Sequence, residues 1–158
     1  MKGLLEGVRV LDFTTMMAGP YCTRQLADLG AQIIKIESPT GEQNRRAAPI
    51  RDGESAVYGH LNCGKHSLSI DLKTAEGRRI ALDLAAHCDV LVENARPGVM
   101  TRLGLDHAVV REVRPDIVYC SISGFGQTGP DAQNPAYAPV VQAASGYEMA
   151  MLEQQPEM

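Results

Sequence analysis

A strand–helix–strand pattern near the N-terminus constrains the fold of this chain more than any other feature. Residues 7–13 read as a β-strand, a helical period begins at Pro20 and ends at Gly30, and residues 31–37 read as a second strand. Proline suits the first turn of a helix because it has no amide hydrogen to leave unpaired. Two strands joined through one helix form a parallel βαβ unit with a right-handed crossover. We therefore expect an α/β architecture of the nucleotide-binding type.

The stretch from residue 89 to residue 98 predicts a ligand-binding edge of that sheet. Residues 90–92 are apolar, as in a central parallel strand that is covered on both faces. Glu93, Asn94 and Arg96 follow at its carboxyl end, where open α/β sheets bind their ligands. Asn94 can both donate and accept hydrogen bonds, and the Arg96 guanidinium matches a phosphate group. The alternative is an ordinary polar loop after a core strand.

The rest of the chain continues to alternate between strands and helices. Residues 67–72 and 117–123 are predicted strands, and predicted helices follow Thr74, occupy residues 106–113 and begin near Tyr137. From residue 147 onward no element is predicted.

Residues 38–66 show no sustained period and predict a long loop of the kind that is usually functional or packed on a partner. Arg45, Arg46 and Arg51 are candidates there for anion contacts, although a solvated basic loop fits each of them equally well. Glu37 stands where a ribose-binding acid would stand in a dinucleotide-binding fold. Because no Gly-x-Gly-x-x-Gly follows the first strand, we interpret Glu37 as a solvated strand end and expect neither NAD nor FAD.

Composition and charge exclude several classes of function. The chain has 158 residues, 44% of them hydrophobic, and a formal net charge of -4, which is typical of a globular protein and not of a general nucleic-acid binder. No apolar run is long enough to cross a bilayer, and the first residues lack the character of a signal peptide. The cysteines have no Cys-x-x-Cys spacing, so reduced thiols in a cytoplasmic protein are expected rather than a disulfide frame or a zinc site.

A series of short motifs runs along nearly the whole chain. The motifs are VLDFT at 10–14, AGP at 18–20, LADLGA at 26–31, IKIE at 34–37, Asn62 with Lys65, DLKT at 71–74, VENARPG at 92–98, LGL at 103–105 and SGFGQTGP at 123–130. Taken together and in order, they resemble the class III CoA-transferase family, and the combination is highly specific. This family includes formyl-CoA transferase, carnitine CoA-transferase and alpha-methylacyl-CoA racemase.

The resemblance implies a Rossmann-like large domain of the α/β class, with an open, mostly parallel sheet and helices on both faces. It also implies a set of residues that contact CoA. By position, residues 17–18 match those near the thioester, residues 70–73 the adenine and phosphate region, and residues 94–96 the loop that receives the pantetheine and diphosphate. Arg102 matches a phosphate ligand, and residues 123–126 match the glycine loop beside the thioester. The implied CoA-binding residues are Met17, Ala18, Ile70, Asp71, Leu72, Lys73, Asn94, Ala95, Arg96, Arg102, Ser123, Gly124, Phe125 and Gly126.

The resemblance also implies a reaction between an acyl-CoA and a carboxylic acid. In the transferases an aspartate attacks the thioester, and a mixed anhydride and an enzyme-CoA thioester follow. No metal or permanently bound cofactor is required, because CoA is itself part of the substrate. The family's aspartate has no match in this chain, so no catalytic residue is predicted; the acids considered are Asp131, Glu148, Glu153 and Glu157. Residues 135–137 read Pro-Ala-Tyr where the racemase branch has Gly-His-Asp, which favours a transferase over a racemase.

The resemblance predicts that residues 1–158 are the N-terminal part of a CoA-binding large domain, without the small domain and the C-terminal return. We expect this part to be inactive alone. At full length the resemblance implies an interlocked homodimer without a nucleic-acid or membrane partner. The alternative from another class is a non-catalytic module for CoA binding or dimerisation.

Overall fold

Five parallel strands form the central sheet of the protein. The computed structural model that shows them describes residues 3–154. The strands are β1 (Arg9–Asp12), β2 (Gln32–Glu37), β5 (Lys65–Ser69), β6 (Val90–Glu93) and β7 (Val118–Ser121). Their order across the sheet is β5-β2-β1-β6-β7. A separate antiparallel hairpin pairs β3 (Ile50–Arg51) with β4 (Glu54–Ser55). The predicted α/β class with an open parallel sheet is confirmed.

The strand order reverses beside β1. The chain runs from β1 to β2 and then to β5, and β6 later pairs with the opposite side of β1. Val10 of β1 therefore lies opposite Ile33 on one side and opposite Val90 on the other. A reversal of this kind leaves a crevice at the carboxyl ends of the two diverging strands, where open α/β sheets bind ligands.

Helices cover both faces of the sheet, as predicted. The helices of this part of the chain are α1 (Ala18–Asp28), α2 (Ala56–Asn62), α3 (Ala75–Ala85), α4 (Val99–Leu103) and α5 (His107–Val113). Successive side chains of a strand point to opposite faces. Leu11 accordingly packs in a cluster with Ala85 of α3 and Val110 of α5, whereas Val10 packs in another cluster with Leu26 of α1.

The segment between β2 and β5 is more regular than its sequence predicts. A 3₁₀ helix at Gln43–Arg46, the β3–β4 hairpin and α2 occupy it, where we expected a loop without a sustained period. The strand predicted at residues 67–72 begins earlier and ends earlier, at Lys65–Ser69. Pairing with β2 sets where this strand begins, because Ile33 of β2 lies opposite Lys65. The alternating apolar pattern of residues 67–72 does not reveal this register between the two strands.

The chain divides into two compact units, Met1–Ile122 and Ser123–Met158. The sheets and α1 to α5 belong to the first unit. The second unit contains α6 (Ala138–Ala144), which confirms the helix expected near Tyr137, and α7 (Tyr147–Glu153), where we predicted no element. The apolar side chains of α7 remain exposed, so this helix has no buried face that an apolar pattern in the sequence could indicate. That residues 1–158 form part of one larger domain stays a prediction.

Candidate functional site

A cavity of about 320 Å³ opens in the first unit where β1, β2, β5 and β6 end. Its walls combine mainly apolar side chains with a few polar groups, the usual composition of a ligand pocket. The lining residues are Phe13, Thr15, Ile36, Glu37, Ser38, Ile70, Asp71, Leu72, Lys73, Asn94, Ala95, Val99, Met100 and Leu103. The site thus lies at the edge of the sheet that the sequence predicts.

Residues 70–73, predicted to lie near adenine and phosphate, line this cavity and are fixed by the start of α3. The Thr74 hydroxyl donates to the Asp71 carbonyl at 2.8 Å and accepts from the Gly77 amide at 2.9 Å. Asp71 Oδ1 accepts from the backbone amide of Lys73 at 3.0 Å. The Lys73 side chain is exposed and forms no ion pair with the described part of the chain. Its ammonium group is therefore available to an anion.

Asn94 and Ala95 line the same cavity, so six of the predicted residues meet there. The Asn94 side chain also joins the loop after β6 to the loop after β1. Asn94 Oδ1 accepts from the Thr15 amide at 2.9 Å, and Nδ2 donates to the Thr15 carbonyl at 2.8 Å. Asn94 therefore shapes the cavity through the backbone of Thr15, besides facing it.

Four other predicted residues lie in the first unit without lining the cavity. Met17 is 62% exposed and directly precedes α1, and Ala18 is the first residue of that helix. Arg96 and Arg102 are exposed and form no side-chain hydrogen bond or ion pair with residues 3–154. Gly98, between these arginines, begins α4 with a φ of 83°, a conformation that favours glycine. The two free guanidinium groups are cations without a protein partner among the described residues.

The predicted glycine loop, residues 123–126, belongs to the second unit. A Cβ added at Gly124 would overlap the Cβ of Ala136, so close packing explains the glycine at this position. Gly126 has a φ of 85°, which again favours glycine. Ser123 and Phe125 are both half-buried.

A buried ion pair lies beneath the loop that follows β1. Asp12 Oδ2 is 3.1 Å from Lys65 Nζ, and the two side chains are 0% and 1% exposed. Asp12 also accepts from the Thr14 hydroxyl and the Thr23 hydroxyl, both at 2.6 Å. Burial lowers the pKa of Lys65, and the attraction of Asp12 opposes that shift. These contacts tie β1, α1 and β5 together at the edge of the sheet where the cavity opens.

A second buried ion pair, between Lys35 and Glu42, supports the same loop. Lys35 Nζ lies 2.8 Å from Glu42 Oε2, with side chains 0% and 1% exposed; the contact is an ion pair without directed hydrogen-bond geometry. Lys35 Nζ also donates to the Thr14 carbonyl at 2.7 Å. Two lysines from neighbouring strands therefore neutralise the two buried acids next to this loop.

Glu37 is buried and paired, so the prediction of a solvated strand end is wrong. Its carboxylate accepts from Arg45 Nε and Nη2, both at 2.7 Å, from the Tyr58 hydroxyl at 2.6 Å and from the Ser67 hydroxyl at 2.7 Å. Burial alone would raise the pKa of Glu37, but these hydrogen bonds outweigh it and hold the pKa well below its usual range. Burial and the neighbouring Glu37 raise the pKa of Tyr58. Arg45, which the sequence offers as a candidate for anion contact, therefore binds the carboxylate of Glu37 within the protein.

Sequence reasoning missed several residues of the cavity wall. Phe13 and Thr15 follow β1, Ile36 lies near the end of β2, and Val99 and Met100 lie in α4. The signal that could have found the first three is the rule that ligands lie beyond the carboxyl ends of parallel strands. The α4 residues carry no such signal, because their apolar side chains are indistinguishable from core residues in the sequence.

Within residues 3–154, no group of three or more histidine, cysteine, aspartate or glutamate side chains is arranged to hold a metal ion. None of the helices in that range is both long and apolar enough to span a bilayer.

Fold and cavity together define an α/β protein with a cavity at the switch point of a parallel sheet. The chain belongs to CoA-transferase family III, whose sequence profile matches residues 5–158. It is 45% identical over 144 residues to the human succinyl-CoA:glutarate CoA-transferase, covering 90% of this chain and 33% of that protein. It is also 45% identical over 150 residues to the acetyl-CoA:oxalate CoA-transferase of Acetobacter aceti, covering 94% of this chain and 39% of that protein.

Among solved structures, a CAIB/BAIF family protein from Brucella suis is similar, with a TM-score of 0.86 and 39% identity. That match covers 92% of this chain and 40% of the other. The chain thus spans between a third and two fifths of the length of the relatives described here.

Proposed function

We propose that this chain binds the nucleotide end of CoA in the cavity and carries the CoA-binding part of an enzyme that moves CoA between an acyl-CoA and a carboxylic acid. The observation that carries the proposal is the meeting of Ile70, Asp71, Leu72, Lys73, Asn94 and Ala95 in one cavity. The resemblance predicts the same residues as CoA contacts from the sequence alone. Family membership and the CoA-transferase names of the relatives support the same activity.

The size and composition of the cavity suit one end of CoA rather than the whole molecule. Its volume of about 320 Å³ lies at the small end of the range for ligand pockets, about 300–1,000 Å³. Apolar walls such as Leu72, Val99 and Leu103 suit an adenine ring, which is flat and largely apolar on its faces. The acyl arm would leave the cavity along the loop that follows β1.

The charges around the cavity suit the phosphates of CoA. Lys73 lies at the wall, and Arg96 and Arg102 are cations without a partner among the described residues. The one buried acid of the wall, Glu37, is neutralised by the bidentate contact from Arg45. A neutralised acid does not repel phosphate, so Asp71, which is exposed and forms no ion pair with the described residues, is the acid of the wall that opposes these cations.

The proposed reaction proceeds through an aspartyl anhydride and an enzyme-CoA thioester. The carboxylate attacks the thioester carbonyl and CoA leaves as a thiolate; the thiolate then attacks the enzyme's own carbonyl and releases the acyl group as a carboxylate. The acceptor carboxylate reverses these steps. Because Asp131, Glu148 and Glu153 do not match the family's aspartate, we propose that residues 1–158 bind CoA without exchanging it. Glu157, the remaining acid considered, lies outside the described residues.

Three further features belong to this proposal. Residues 1–158 would form the N-terminal part of the large domain, without the small domain and C-terminal return. The whole protein would be an interlocked homodimer in the cytoplasm and would need no metal. A racemase is less well supported, because Pro135, Ala136 and Tyr137 stand in place of the Gly-His-Asp of that branch. A non-catalytic module for CoA binding or dimerisation is the second candidate.

Calorimetric titration with CoA tests the site. Arg96→Ala and Arg102→Ala should each weaken binding about 10- to 100-fold, the loss expected when one charged phosphate contact is removed. Arg111→Ala is the matched control, since Arg111 is also an exposed helical arginine but lies on α5, away from the cavity wall. A folded wild-type chain that does not bind CoA, or an equal loss in the control, would contradict the assignment.

Incubation of the chain with succinyl-CoA and glutarate, the substrates in the name of the human relative, tests the catalytic part. We expect CoA binding and no glutaryl-CoA. Formation of glutaryl-CoA would show that residues 1–158 carry a catalytic carboxylate after all.

A further inference from the structure

The loop between β1 and α1 contains a residue in a conformation that its side chain disfavours. Met16 has a φ of 67°, in the left-handed region, although it is not a glycine. For a residue with a Cβ this conformation is unfavourable and persists only when the surroundings enforce it. The sequence of the loop, without a glycine before residue 19, does not explain why the backbone takes this path.

Two buried side chains hold both backbone polar groups of Met16. Glu42 Oε1 accepts from the Met16 amide at 2.9 Å, and Asn44 Nδ2 donates to the Met16 carbonyl at 2.6 Å. Glu42 and Asn44 are 5% and 6% exposed, and both belong to the segment that follows β2. The ion pair with Lys35 holds Glu42 in turn. These contacts hold the two peptide units on either side of the Met16 Cα, and we call them the Met16 clamp.

The Met16 clamp lies between the cavity and the residues predicted to face the thioester. Thr15, immediately before Met16, lines the cavity and is fixed by Asn94. Met17 and Ala18, immediately after it, are exposed at the start of α1. The conformation of Met16 therefore sets the direction in which the chain leaves the cavity wall, and hence where Met17 and Ala18 stand.

We propose that Glu42 and Asn44 are positioning residues that hold Met16 left-handed and thereby present Met17 and Ala18 to the acyl arm of a CoA thioester. This inference rests on the proposed function, since it assumes that the nucleotide end of CoA occupies the cavity. Neither Glu42 nor Asn44 lines the cavity, although the backbone amide of Glu42 donates to Glu37 Oε2 of the wall at 3.0 Å. Asn44 donates to Met16 and forms no side-chain hydrogen bond to a described residue of the wall. Loss of the Asn44 side chain should therefore weaken the binding of the acyl arm and leave the nucleotide end unaffected.

The test compares two ligands that share the nucleotide end. Acetyl-CoA contains both the nucleotide and the acyl arm, whereas adenosine 3′,5′-bisphosphate contains the nucleotide end alone. In Asn44→Ala the Met16 carbonyl loses its donor, and we expect affinity for acetyl-CoA to fall about tenfold, the loss of about one buried hydrogen bond. Affinity for the bisphosphate should change by less than about twofold. Asn44→Ser, which disturbs the fold less, should shift the ratio of the two affinities in the same direction.

Gln43→Ala is the matched control, because Gln43 precedes Asn44 in the same 3₁₀ helix and is exposed. It should alter neither affinity. An unchanged ratio of the two affinities in both Asn44 variants would overturn the positioning role, whether both ligands bind normally or both bind more weakly. Failure of wild-type protein to bind either ligand would instead refute the proposed function, so the two failures are distinguishable.

Discussion

Gly77→Ala should destabilise the protein, although the same substitution stabilises most helices. Alanine is favoured over glycine in a helix interior by about 0.5–1 kcal/mol. Gly77, however, is buried in the first turn of α3, beneath the residues that line the cavity. A Cβ added there would lie 2.7 Å from the carbonyl carbon of Asp71 and 3.0 Å from Cγ2 of Ile70, against 3.4 Å for an ordinary contact.

The shortfall at the carbonyl carbon of Asp71 is 0.7 Å, the difference between 3.4 and 2.7 Å, and it is larger at the Asp71 carbonyl oxygen, which is the nearest atom to the added Cβ. A backbone atom cannot rotate away as the end of a long side chain can, so residues 70–73 must move as a unit. Overpacking costs about 1–3 kcal/mol, and contact with backbone belongs at the upper end of that range. After the helical gain is subtracted, the free energy of unfolding should fall by about 2 kcal/mol.

Urea denaturation followed by circular dichroism measures this change, and CoA titration measures its effect on the cavity. The matched control is Gly59→Ala in α2, where an added Cβ meets no atom within 4 Å. That variant should be more stable by about 0.5–1 kcal/mol. If Gly77→Ala were stabilised as much as the control, residues 70–73 would have to move freely, and the reasoning from packing would be refuted.

Two further predictions concern the buried charges. Lys65→Met should lower the free energy of unfolding by about 3 kcal/mol, because it leaves the fully buried Asp12 without its cation. Adding Asp12→Asn to this variant should restore part of the lost stability. An unchanged urea midpoint in the Lys65→Met variant would contradict the prediction. Glu37→Gln should reduce the amount by which the free energy of unfolding falls between neutral and acid pH. The folded-state pKa of Glu37 lies below its unfolded value of 4.5, so its contribution is present above that pH and is lost as the pH falls toward the folded value. Urea midpoints at about pH 7 and about pH 3.5 measure it, and an equal acid loss in wild type and variant would argue against it.

The fold could be predicted from the sequence because four strands of the sheet, all except β5, contain short apolar runs between helical periods. The run at residues 90–92 predicted both a strand and the position of the cavity, since side chains after a parallel strand lie at the sheet edge. Glu37 was misinterpreted because its partners Arg45, Tyr58 and Ser67 lie 8, 21 and 30 residues away in the sequence. A single sequence shows that an acid ends a strand; it does not show which distant groups neutralise it.

The Met16 clamp could not be predicted for a related reason. Glu42 and Asn44 lie in a polar segment without a period, so the sequence gives them the appearance of solvated loop residues. Only the approach of that segment to the loop after β1 reveals that they are buried. Regular elements are encoded in local periodicity, whereas the supports of a site depend on contacts between distant parts of the chain.

All residues of the cavity wall are synthesised before the second compact unit. The first lining residue of the cavity is Phe13 and the last is Leu103, all within the first compact unit. Because proteins fold unit by unit as they leave the ribosome, the wall can assemble on the nascent chain while later residues are still being translated. A ligand that binds only the folded unit would then stabilise it at once, so the supply of that ligand would influence how much of a newly made chain escapes degradation.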